Sequence, residues 1–185
     1  MKIGEFYSVV CRIFALNFAN CLSEEIFNEI KKNSNWVIKN NNEANLTGSK
    51  LYKESLEVEN LEEIKEDFLN LKKYFNAEFF FEGDKKRLEG LYRVCKFEPN
   101  LKLSDVDSIT SQLSFLSSVL QLKADKKIEE ILGVFLSSYF LPYSKKLYPL
   151  LQKEAKTKFY RSMGYLFEDF SEGIEKIFKI RVVPR

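Results

Sequence analysis

Apolar residues recur at intervals of three and four along most of this chain, beginning with Phe6, Val9, Val10, Ile13 and Phe14. That period keeps one side of a helix apolar, whereas a half-buried strand alternates every second residue, and no alternating stretch is evident. Ser23 is placed to cap a short helix. Glu24 and Glu25 sit at the positive end of its dipole, and Ile26, Phe27 and Ile30 form its buried side. Asn60 followed by Glu63 has the form of a capping box, and Leu61, Ile64, Phe68, Leu71 and Phe75 then mark one face of a helix of about four turns.

Ser104 reads as the cap of a further helix through Ile109, Leu113, Phe115, Leu116, Val119 and Leu120, which is apolar around most of its circumference, as a centrally packed helix must be. The next runs near Lys126 to Leu141, and Pro142 is expected to end or kink it. Two more follow, near Ser144 to Lys156 and Lys158 to Phe178. The last has Phe159, Met163, Leu166, Phe167, Phe170 and Ile174 as its inward stripe. Two segments break the pattern. Asn33 to Asn45, rich in Asn around Trp36 and Val37, reads as a partly ordered connection. Asn76 to Leu103, interrupted by Gly83, Gly90 and Pro99, reads as a long loop holding one short helix. With no internal repeat, the pattern predicts an all-α, single-domain helical bundle over residues 1–185.

Composition sharpens this picture. A chain of 185 residues can bury a core unaided, and its 45% hydrophobic and 30% charged residues with only 7 Gly and 4 Pro leave little material for hairpins or linkers. Seventeen Phe and nine Tyr imply either an aromatic core or rings lining a groove. The formal charge of +2 provides no field toward nucleic acid or an anionic membrane. Glu54 to Asp67 nevertheless carries seven acidic residues against one lysine, which reads as a solvated helix face or as a docking surface for a basic peptide. Cys11, Cys21 and Cys95 form no C-x-x-C and cannot all pair with one another, which fits a reducing compartment. No secretory leader is evident at Met1 to Glu5, and the uncharged run Ile131 to Tyr143 is too short for a bilayer, so a cytoplasmic protein without stable membrane insertion is expected.

The chain has no histidine, which removes the usual general base near neutral pH, the common triads and imidazole metal ligands. Its glycines build neither G-x-G-x-x-G nor a Walker A loop. The neighbouring acids Asp105 and Asp107 are expected at a helix start, and Glu168 and Asp169 on a solvent face. The residues thus imply no catalytic site, no cofactor and no metal. A carboxylate hydrolase or metal protein built on Asp105, Asp107 and Gln112 is the enzymatic alternative, and nucleic-acid binding by the basic last third is a weaker one.

Three stretches, taken in order, resemble the TorD/DmsD (NarJ-like) family of chaperones that mature molybdenum-containing oxidoreductases. Phe135-Leu136-x-x-Tyr139-Phe140-x-Pro142-Tyr143, with Leu147, Ala155, Phe159-Tyr160-Arg161 and Leu166, is similar to the family's helix, Pro-Trp corner and Phe-Tyr helix start. Tyr139 and Tyr143 stand where the family often has His and Trp. Asp107-Ser108-Ile109-Thr110-Ser111-Gln112-Leu113-Ser114-Phe115-Leu116 resembles the family's Asp-His-x-x-x-Glu-Leu-x-Phe-Leu helix, with Ser108 for His and Gln112 for Glu. Asp67-Phe68-x-x-Leu71 and Glu89-Gly90-Leu91-Tyr92 are similar to its acidic-aromatic helix and Glu-Ser-x-Tyr loop.

The resemblance implies a non-catalytic cytoplasmic chaperone that binds the twin-arginine leader of an apo-molybdoenzyme, and often the enzyme body, until maturation is complete, as a monomer or an exchanged dimer. It also implies a peptide site at Asp107, Ser108, Gln112, Glu89, Tyr92, Phe68 and Tyr143. Asp107, Glu89 and the acids of Glu54 to Asp67 would meet the arginines, and Tyr92, Phe68 and Tyr143 would wall a groove for the apolar stretch. A general helical adaptor that binds partners through its aromatics is the alternative within the same class.

Overall fold

The computed structural model describes residues 3–19, 22–183 and 185, so Cys21 and the first two residues lie outside it. Among the described residues the protein is all-helical: α1 (Ile3–Phe18), α2 (Glu24–Lys32), α3 (Glu43–Val58), α4 (Leu61–Leu71), α5 (Asp84–Val94), α6 (Ile109–Leu120), α7 (Lys126–Phe135), α8 (Leu141–Glu154) and α9 (Lys158–Ile177). Two 3-10 turns, Lys72–Phe75 and Ala77–Phe79, follow α4, and a π turn, Leu136–Phe140, joins α7 to α8. None of the described helices is long and apolar enough to cross a membrane.

The predicted helix starts at Ser23 and Asn60 are present. The Ser23 hydroxyl accepts from the Ile26 N–H, and Asn60 and Glu63 bond reciprocally as a capping box. The start of α6 differs. Ser108, not Ser104, accepts the Ser111 N–H at 3.0 Å, because the preceding turn bends Asp107 inward before the helix begins.

The Asn-rich connection is also more ordered than its composition suggests. Asn42 caps α3, and the side-chain amides of Asn40, Asn42 and Asn45 all donate to the carboxylate of Asp169 on α9. Asp169 is therefore a buried acceptor and not part of a solvent face: three amide donors replace the water it gives up. These bonds lay α3 along α9.

The pairs α3–α9, α8–α9 and α1–α6 make the most extensive helix contacts. Two glycines permit the close approach to α9. A Cβ on Gly48 would lie 2.7 Å from the Leu166 Cγ, and one on Gly164 would lie 2.9 Å from the backbone nitrogen of Gln152. Inside, Phe14, Phe18, Trp36, Phe140, Phe167 and Phe170 interlock, mostly tilted or edge to face. Most of the aromatic surplus is thus spent on the core.

Pro142 neither ends nor breaks the helical run. The Leu141 N–H bonds back to the Leu136 carbonyl, five residues away, and the wider π turn carries the chain into α8 with Pro142 in its first turn. Proline has no N–H to offer the preceding turn and is tolerated there.

Candidate functional site

The turns after α4 fold back against the start of α6. Asn76 and Ser108 form an isolated bridge, the Ala77 N–H donates to the Asp107 carbonyl at 3.1 Å, and the Glu78 N–H donates to the Asp107 carboxylate at 2.8 Å. Glu78 in turn accepts the Gly83 and Lys85 N–H groups, each at 2.9 Å, and so closes the start of α5. The Lys85 bond, then that of Gly83, holds the Glu78 carboxyl below the usual carboxylate range. The segment expected to be a long loop holding one short helix thus holds α5, and the residues before that helix are turns pinned by these bonds.

Asp107 is only 2% exposed. Burial pushes its carboxyl up, and the bond from the Glu78 N–H opposes this. Its carbonyl also accepts from the Gln112 side chain at 3.1 Å, while the other amide atom of Gln112, Oε1, is buried without a partner. The Tyr92 hydroxyl is likewise buried and unpartnered, and burial, then the nearby Asp107 charge, raise its phenol. Tyr143, fully buried, donates its hydroxyl to the Tyr74 carbonyl at 2.8 Å, and burial and Asp107 raise it in the same way. Asp107, Ser108, Gln112, Tyr92 and Tyr143 thus meet at one corner, under turns that link three segments of the sequence.

This corner is an interior, which corrects several expectations. Asp107 anchors turns and presents no free carboxylate, Tyr143 is 0% exposed, and Phe68 stacks on Phe75 and contacts Tyr160 in the core, so neither ring walls a groove. The acids of Glu54 to Asp67 are divided between α3 and α4, and several are already engaged. Glu54 pairs with Lys158 at 2.7 Å, Glu59 accepts the Lys158 and Phe159 N–H groups, and Asp67 accepts those of Lys156 and Thr157. They fasten the corner between α8 and α9. Among the described residues no three His, Cys, Asp or Glu side chains are grouped to share a metal ion.

Glu89 behaves differently. It is exposed and, with part of Tyr92, borders a groove of about 780 Å³ between α5 and the connection to α6, floored by Phe97, Leu101 and Val106. Arg93, Lys96 and Glu98 complete its rim, so acids and bases balance there. Past Phe97 the groove adjoins a second hollow lined by Phe115, Ile128 and Ile131. That hollow shares Val119, Leu122 and Ile128 with a third of about 860 Å³, which reaches Leu132, Ile3 and Phe178. Together they form an apolar trough along α5, α6 and α7, with Leu101 64% and Leu122 55% exposed. The trough is not legible in the sequence because its residues come from five helices, α1, α5, α6, α7 and α9, and from the connections beside them. No protein-family model, no curated protein and no solved structure matches the chain.

Proposed function

We propose that the protein is a non-catalytic chaperone that captures the leader, or another unfinished segment, of a molybdopterin-dependent oxidoreductase before the client leaves the cytoplasm. The observation that carries this reading is the trough from Glu89 to Phe178, a run of connected apolar hollows with charged groups along part of its rim. Such a trough suits a hydrophobic stretch flanked by charge, which is the chemistry of the leader that the TorD/DmsD resemblance implies. The convergence of the resembling stretches at Asp107, Tyr92 and Tyr143 supports it further, because Tyr92 borders the groove and the buried Asp107 beside it pins the turns next to it. Client capture relies on surface complementarity and involves no bond making.

A test leaves the core intact. Leu101→Asp and Leu122→Asp change exposed residues of the trough, and each should weaken binding of a synthetic leader about tenfold or more, since one buried leucine is worth roughly 1.5–3 kcal/mol. Fluorescence anisotropy with the labelled leader reads this directly. Unchanged affinity in both variants would remove the trough from the binding surface.

A further inference from the structure

The π turn leaves two carbonyls without helical donors. The Leu141 N–H is used by Leu136, which leaves Ser137 free, and the donor that Ser138 would meet four residues on is missing because that residue is Pro142. The segment after α9 takes both. The Val183 N–H donates to the Ser137 carbonyl at 3.0 Å and Arg185 Nη1 to the Ser138 carbonyl at 2.7 Å. The guanidinium of Arg185 also forks onto Asp84, Nη1 to Oδ2 at 2.8 Å and Nη2 to Oδ1. Its central carbon, Cζ, lies 4.6 Å from the centre of the Phe81 ring and 5.7 Å from that of Tyr139. The Asp84 side chain is 1% exposed.

A desolvated carboxylate in bidentate geometry, two ring faces and a spare carbonyl are the groups that distinguish arginine from lysine. Between α9 and the site, Ile180 and Val182 pack against the core, while Arg181 and Val183 are exposed. Departure of the segment does not strand the carboxylate, because Arg87 contacts Asp84 at 3.1 Å from a half-exposed position. The groups that hold Arg185 are ones that an arginine of another segment could use in its place.

We infer that Asp84, Phe81, Tyr139 and the free carbonyls of the π turn form a recognition site for an arginine in an extended polypeptide segment, and that Arg185 occupies it as an internal stand-in. The incoming segment carries a free backbone N–H two residues before the arginine, as Val183 does here. It must displace a tethered competitor whose effective concentration is on the order of millimolar, so the free protein holds the site mostly closed. This goes beyond the proposed function and needs no particular client.

The test uses the full chain and a labelled peptide with the sequence of residues 179–185, Lys-Ile-Arg-Val-Val-Pro-Arg. The Arg185→Ala protein should bind it at least about tenfold more tightly than the unaltered protein, because the internal competitor is gone. On that variant, a peptide whose last arginine is replaced by lysine should lose about tenfold, and adding Asp84→Asn or Tyr139→Leu should weaken binding to a similar degree. Equal binding by the Arg185→Ala and unaltered proteins, or equal binding of the arginine and lysine peptides, overturns the inference. The peptide comparison needs no new protein variant, so it decides the matter even if Asp84→Asn fails to fold. The trough variants Leu101→Asp and Leu122→Asp should leave this binding unchanged, which separates its failure from that of the proposed function.

Discussion

Phe14→Ala is expected to lower the unfolding free energy by about 3–5 kcal/mol, the usual cost of removing a buried phenylalanine and leaving a cavity. Phe14 is fully buried, and its ring lies 5.1 Å from Trp36, 5.2 Å from Phe167, 5.3 Å from Phe170 and 5.8 Å from Phe18. It joins α1 to α9 and to the Asn-rich connection, so neither side can close the gap without pulling α1 from α6. Urea unfolding followed by circular dichroism measures this as a lower midpoint at an unchanged slope. A loss below about 1 kcal/mol would mean that the connection around Trp36 is not packed as described.

The second large effect is expected at Asp67. One carboxylate oxygen accepts the Lys156 N–H at 3.0 Å, the Thr157 N–H at 2.8 Å and the Thr157 hydroxyl at 2.7 Å, holding the turn between α8 and α9 against α4. Asp67→Ala leaves these donors unmet in a buried place, at a cost of about 3 kcal/mol. Asp67→Asn retains a neutral acceptor and should cost roughly half as much. The same unfolding experiment separates the two variants, and equal losses would mean that volume, not hydrogen bonding, is what Asp67 supplies.

Both predictions rest on features of unequal legibility in the sequence. The capping box at Asn60 and the inward stripe of α9 were readable because their determinants lie within one or two helical turns. The start of α3 was not, because the asparagines before it look like loop material until Asp169, 124 residues beyond Asn45, is brought among them. Pro142 read as a helix stop or kink by local rule, and the chain absorbed the missing N–H with a π turn that carries it into α8. The resembling stretches do converge, but Asp107 and Tyr143 face inward, and period alone cannot tell an anchoring carboxylate from a binding one. Asp84 carried no signal. It sits in a charged run, Asp84-Lys85-Lys86-Arg87, and its partner Arg185 lies 101 residues away.

On the proposed reading, the anionic contact for an arginine lies at Asp84 in place of the buried Asp107, and the apolar part of a captured segment lies along α5 to α7. Charged groups form the fork at Asp84 and line part of the trough's rim, so capture is expected to weaken as salt rises.

The most direct measurement is a calorimetric titration of the full chain with a synthetic leader in which paired arginines precede a hydrophobic stretch, set beside the same leader with both arginines replaced by alanine. The account predicts binding of the first and a loss of at least about tenfold for the second, since a charge-assisted, bidentate contact is worth more than 1.4 kcal/mol. Equal affinity for the two leaders, or heat from neither, would contradict it.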